Sequence, residues 1–173
     1  MSRNIKTRAV CASQPPATVL LATAMHTHIL VIPIRRARAT MTISIIRDQS
    51  GAMRHHVHIG NHVITVDEET ANGGEDTGPN AHDLYDAALG ACKALTVLWY
   101  AKRKGIPLED IEVDVQRDAS QERAGTYRRD TKLTLGGNLS EAQRQELLNV
   151  AGKCPVHKLM TVVTTEITTS LSA

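Results

Sequence analysis

Two cysteines, Cys92 and Cys154, carry the chemistry that this sequence offers. Cys154 stands directly before Pro155 and three residues before His157. Proline favours the first position of a helix, so the Cys154 thiol is expected at or beside an N-cap. Unpaired backbone N–H groups there stabilise an anion and lower a thiol pKa from about 8.5. Cys92 follows Gly90 and Ala91, small residues that permit close approach by a neighbour. In mid-helix it lacks a helix end, and its activation needs a cation from elsewhere, for which Arg54 is the candidate. The inert reading competes, because free cysteine is among the most buried residue types and often only fills space. On residues alone both readings stay open. The two thiols lie 62 residues apart, and their pairing cannot be derived from that spacing.

A metal is the rival use of the same atoms. Cys154, His157 and the histidines His55, His56, His58 and His62 are ligand types for zinc, but no second close cysteine pair completes a tetrahedral set. No metal is expected. Gly73, Gly74 and Gly78 do not follow the spacing of a phosphate or dinucleotide loop. Asp67, Glu68, Glu69, Glu75 and Asp76 read as acids facing water.

The totals narrow the class. At 173 residues, 42% of them hydrophobic, the chain can bury a core of one domain. Its aromatics are only Tyr85, Trp99, Tyr100 and Tyr127, so a base-stacking surface is disfavoured. The net charge of +2 hides an asymmetry: residues 1–40 hold six basic residues and no acid, leaving 14 basic residues against 18 acids in the rest. That acidic body lacks the basic stripe a phosphate backbone requires, and nucleic acid is not expected as a partner. Three cysteines are too few for a disulfide scaffold.

Residues 1–40 are read as an N-terminal extension outside the fold, with Met41 as an alternative start. Targeting readings compete: a signal peptide cleaved near Ala22-Thr23-Ala24, or an acid-poor transit peptide. A membrane span is disfavoured, because His26, His28 and Pro33 interrupt the apolar run. The cytoplasm is the expected compartment.

The thiols need elements to hold them. Thr42–Ile46 reads as a strand, and Met53–Asp67 as two strands joined by a turn at Gly60-Asn61. Residues 68–80 read as a loop. From Ala81 the pattern is a helix of roughly 24 residues, N-capped by Asn80, with Asp83 at its positive end. Its apolar face is expected at Leu84, Ala88, Ala91, Leu95 and Leu98. Gly105 stops it and Pro107 blocks continuation. Residues 109–118 alternate as a strand with Ile111, Val113 and Val115 inward. Residues 126–135 repeat this with Tyr127, Thr131, Leu133 and Leu135 inward. Ser140 and Gln143 open a second helix as a capping box, with Ala142, Leu147, Val150 and Ala151 as its apolar face. A short helix from Pro155 to Met160 and a closing strand in Thr161–Leu171 complete an α+β domain of mainly antiparallel sheet.

Residues 78–115, with Ala-Cys inside an alanine-rich helix, and residues 137–160, with Cys-Pro opening a later one, together resemble the OsmC/Ohr family of osmotically inducible and organic hydroperoxide resistance proteins. The resemblance spans residues 41–173. It implies the OsmC-like fold: a homodimer with swapped elements, two main helices packed between antiparallel sheets. It implies a thiol peroxidase for organic or hydrogen peroxides, reduced by small thiols or a dithiol protein, with no bound cofactor. By position Cys92 is the peroxidatic thiol and Cys154 the resolving one, near the dimer interface. The arginine that lowers the peroxidatic pKa in the family falls at Arg54, with Arg47 in reserve. Peroxidase members read Asn-Pro-Glu ten residues before the cysteine, where this chain has Asn80-Ala81-His82. The absent glutamate points to a separate branch and to an alternative, a ligand-binding or stress protein on the same scaffold. His82 either meets the thiolate as imidazolium or simply sits at the helix start.

Overall fold

The structure, a computed structural model, describes residues 42–172. The readings of residues 1–40 and of Met41 as a start lie outside the described residues. Three short strands come first: β1 (Ile43–Arg47), β2 (His55–Ile59) and β3 (His62–Val66). They form an antiparallel meander in which Ile45 and Ile64 flank Val57. Pairing partners share a face, so Ile43, Ile45, Val57, Ile59, Ile64 and Val66 lie on one side of this sheet. Val57 is buried, whereas Ile43 and Ile45 stay exposed within the single chain.

Helix α1 (Ala81–Lys104) starts with a full capping box, in which the Asn80 side chain accepts from the Asp83 N–H and the Asp83 carboxylate accepts from the Asn80 N–H. It ends at Gly105, whose φ of 68° is left-handed and lets its N–H reach back to the Ala101 carbonyl. Strands β4 (Asp110–Asp118) and β5 (Arg128–Gly136) pair antiparallel, with Val113 opposite Leu133 and Ile111 opposite Leu135. Helix α2 (Glu141–Ala151) opens on the Ser140–Gln143 capping box, and α3 (Pro155–Thr161) on Cys154. The core lies where α1 and α2 meet this second sheet, with Val97, Ala101, Leu147 and Ala151 at its centre and Ile111, Leu133 and Leu135 against them.

Four expectations are overturned. The buried face of α1 is Asp86, Leu89, Gly90, Lys93, Val97 and Ala101, while Leu95 is 67% exposed and Leu98, Ala88 and Ala91 also face outward. Both rows have helical spacing, and α1 turns inward the one that contains charged residues and a glycine. Gly90 is needed there: a Cβ would come within 3.0 Å of Val115 on β4. In α2, Ala142 is exposed, because the first turn extends beyond the core. Residues 162–172 form no strand and are exposed; a strand requires a partner edge, and nothing within the described residues pairs with this one.

The fourth is Asp67, which is buried rather than facing water. Its carboxylate accepts from the Thr77 hydroxyl at 2.7 Å and from the backbone N–H groups of Glu68, Glu75 and Thr77. It thereby pins both ends of the loop between β3 and α1. The Thr77 hydroxyl bond, with the backbone donors beside it, holds the carboxyl down from the ordinary 3.8 to about 2, against the opposing effect of burial. An unfolded chain protonates this group near 3.8, so its contribution to folding is present above about pH 4 and is lost as pH falls toward 2. Acid unfolding of Asp67→Asn should accordingly show a weaker dependence of stability on pH across that window than the wild type, measured by denaturant titration at successive pH values.

Candidate functional site

Helix α1 and the α2–α3 junction bring the two cysteines together. The Cys92 thiol lies near enough to Cys154 to act on its ionisation, and both are free. Cys154 is 0% exposed, whereas Cys92 is half-buried. The N-cap expectation holds: the His157 N–H donates to Cys154 Sγ at 3.3 Å. Burial nevertheless pushes the Cys154 thiol above its ordinary value. The His157 N–H pulls it down, the Cys92 thiol raises it, and the Lys93 ammonium lowers it.

Lys93 was not singled out by the sequence pattern. It lies on the buried face of α1, where its Nζ donates to the Ala151 carbonyl at 3.2 Å. Its position next to Cys92 is the signal that was available. A second polar group on the same face is Asp86. It faces Arg129 Nε at 2.9 Å, Arg117 Nη1 at 3.3 Å and the Tyr127 hydroxyl at 2.9 Å. The Arg129 contact is an ion pair without hydrogen-bond alignment, since neither Asp86 Oδ1 nor Arg129 Nε meets hydrogen-bond geometry. Arg129 also stacks over Tyr85 and Tyr127, at 4.4 and 4.6 Å from their centroids. Strand alternation places Arg129 on the inward face with Tyr127 and Thr131, so the period-two pattern could have found it.

Arg54 lies at the opening of β2. Its guanidinium meets Glu75 at 2.6 Å, Thr77 Oγ1 at 2.9 Å and Asp48 at 3.5 Å. Among the described residues its polar partners are these three, and neither thiol is one of them. Arg47 ends β1 opposite His55. His82 sits at the start of α1, paired with Glu122 at 3.1 Å and close to the Tyr127 ring; the helix-start reading is the one observed. Asp83 caps the helix and receives Arg117 at 2.8 Å. Alternation separates His56 and His58 from His55 on opposite sides of the sheet. Among the described residues no group of three or more His, Cys, Asp or Glu is gathered for a metal.

A cavity of about 340 Å³ opens at the start of α1, lined by His82, Tyr85, Glu122, Tyr127 and Arg129. Neither thiol lines it. Along α1 a second cavity of about 610 Å³ reaches Gly90 and Ala91, and a third of about 500 Å³ is lined by Leu95, Leu98 and Trp99. Among the described residues no helix is long and apolar enough to cross a membrane.

A family model described as OsmC-like protein matches residues 73–170, more than half of the chain. No curated protein is matched. Solved structures are similar over most of their length. The OsmC-like protein of Mycoplasma pneumoniae gives a TM-score of 0.60 at 17% identity, covering 73% of this chain and 91% of that one. The organic hydroperoxide resistance protein OsmC of Legionella pneumophila gives 0.54 at 20% identity, covering 73% and 93%. OhrB, the organic hydroperoxide resistance protein of Bacillus subtilis, gives 0.50 at 23% identity, covering 73% and 93%. At these identities the likeness is one of fold.

Removing Asp86 would leave the largely buried Arg129 without its carboxylate, while the exposed Arg117 turns to water. Asp86→Ala is expected to destabilise the protein by about 3–5 kcal/mol, seen as a lower denaturant midpoint with an unchanged slope. A loss under about 1 kcal/mol would mean that Arg129 too finds water.

Proposed function

The chain belongs to the OsmC-like protein family, and from that membership and the adjacent thiols we propose that it is a thiol peroxidase working through Cys92 and Cys154. The observation that carries this reading is the placement of the sulfurs: two free thiols near enough for one to act on the other's ionisation, one half-buried and the other enclosed. Cys92 as thiolate attacks the terminal oxygen of an organic or hydrogen peroxide; the O–O bond breaks and an alcohol or water leaves. The sulfenic acid so formed on Cys92 condenses with Cys154 to a disulfide and water. A small thiol or a dithiol protein restores both thiols by exchange. The organic hydroperoxide resistance proteins among its structural neighbours support a peroxide of that class as substrate.

The site is completed by a second copy of the chain. Support comes from the outward face of α1, where Leu95 and Trp99 are 67% and 61% exposed. At about 100° per residue, Cys92 lies some 40° around the helix from Ala88 on that face, so whatever covers the face also borders the thiol. The exposed apolar face of the three-stranded sheet and the unpaired residues 162–172 need a partner surface in the same way. In this dimer Arg54 is the cation brought to Cys92. Glu75 holds it at 2.6 Å, a carboxylate from the loop in place of the one absent at His82.

One observation favours a second reading, a ligand-binding protein without turnover: the aromatic cavity at the start of α1 lies apart from the thiols. Treating the protein with about one equivalent of cumene hydroperoxide separates the two. The peroxidase reading expects loss of the Cys92 and Cys154 thiols, a mass decrease of about 2 Da for the disulfide, and neither change in Cys92→Ser. Survival of both thiols in a large excess of peroxide overturns it. For the dimer, Leu95→Arg should convert the sedimenting species to a monomer while leaving the helical signal intact; a wild type that already sediments as a monomer overturns the assembly.

A further inference from the structure

The peroxidase cycle written above makes no use of Lys93, the residue after Cys92, whose ammonium is buried at the end of α2. Lys93 is 4% exposed. Its Nζ donates to the Ala151 carbonyl at 3.2 Å, and that same oxygen accepts the Cys154 N–H at 3.4 Å. The ammonium and the Cys154 residue therefore converge on one atom at the end of α2. An ammonium carries three N–H donors, and Ala151 accounts for one of them. Both thiols belong to this junction: Cys92 is the residue before Lys93 on α1, and Cys154 is enclosed at the start of α3.

We propose that Lys93 is the counter-cation of the Cys154 thiolate, a positioning residue that makes the buried sulfur competent to resolve the sulfenic acid and to leave when the disulfide is reduced. The consequence for turnover rests on the thiol-pair reading; the pairing of ammonium and thiolate does not. The groups that face Cys154 are few. From α1 come Cys92 and Lys93, and from α3 itself the His157 backbone N–H. From β5, Arg129 reaches α3 further along, at Met160 Sδ. Lys93 is the positive charge among the groups acting on the sulfur, and its pull, smaller than that of the His157 N–H, opposes the burial that favours the neutral thiol.

The chemical step balances without a further reagent. Cys154 ionises beside Lys93, and its thiolate attacks the sulfenic sulfur of Cys92. The S–S bond forms as the S–O bond breaks, and the departing hydroxide takes the proton that Cys154 released. In the reverse direction the reductant's thiolate attacks the more accessible Cys92, and Cys154 departs as a thiolate paired with Lys93. Access thus sets which sulfur is attacked, and the lysine favours the one that leaves.

The test has two arms on the full chain. In the first, with Cys11→Ser and Cys92→Ser, Cys154 is the remaining thiol, and its ionisation is followed by the ultraviolet absorbance of the thiolate and by the pH dependence of alkylation. Lys93→Met should raise the midpoint by about one pH unit or more, and Lys93→Arg should keep it near its original position. An unchanged midpoint in a folded Lys93→Met protein overturns the proposal, and Lys93→Gln supplies the same comparison if the methionine variant does not fold. In the second arm, both thiols are present and one equivalent of peroxide is added in a single turnover. Lys93→Met should lose its first thiol at the wild-type rate but accumulate the Cys92 sulfenic acid, trapped with dimedone, while disulfide formation slows by about tenfold or more. Disulfide formation at the wild-type rate overturns the role in resolution. If the wild type itself does not react with peroxide, the peroxidase reading and the role in resolution fall with it, and the first arm still decides the pairing.

Discussion

Helix α1 buries a face that carries an acid, a glycine and a lysine, and the surrounding elements are arranged to satisfy them. An unpaired buried charge costs several kcal/mol, so the partners of Asp86 and Lys93 are not optional. Arg117 from β4 and Arg129 from β5 meet Asp86, and the carbonyl at the end of α2 meets Lys93. Gly90 lets β4 approach to where Val115 touches the helix backbone. Leu89, Val97, Ala101 and Leu147 supply the apolar bulk. The polar groups help hold the register, because their partners lie at set positions on β4, β5 and the end of α2.

The same constraint places the thiols. Cys154 is fully enclosed because the α2–α3 junction folds against α1, and enclosure alone would make it an inert core cysteine. Two nearby features work against that outcome: an N–H at the start of α3 and an ammonium from α1. Cys92 differs in access rather than in kind, being half-buried on the flank of the same helix. A half-buried sulfur near an enclosed one is compatible with a two-thiol reaction.

Further from the thiols, Asp67 organises the loop that leads into α1. Its carboxylate binds Thr77, the Thr77 hydroxyl oxygen accepts from Arg54, and Arg54 binds Glu75 in the same loop. The arginine is therefore held in a defined orientation at the end of the three-stranded sheet. That sheet leaves Ile43 and Ile45 exposed, as α1 leaves Leu95 and Trp99. Apolar surface of this extent on two elements and an unpaired segment after α3 share one physical demand, removal from water.

Local rules made most of the elements legible in the sequence. The capping boxes at Asn80 and Ser140, the stop at Gly105, the hairpin turn at Gly60 and the proline after Cys154 each act within a few residues, and all appear where the sequence places them. Strand alternation likewise put Ile111, Val113 and Leu133 inward. What the pattern misread were choices between two equally periodic answers. Leu84, Ala88, Ala91, Leu95 and Leu98 make the better apolar stripe, yet α1 buries the row with Asp86 and Lys93, because its charges find partners 31 to 58 residues away. Asp67 read as a surface acid for the same reason, its donors lying in a loop whose path the sequence does not specify. The closing strand was misread because a ladder needs a second edge. The residue types and the start and stop of each helix were determined by the sequence itself. Which face is buried, which charge is paired and which thiol is enclosed were decided only by the tertiary structure, since long-range pairing has no signature in local periodicity.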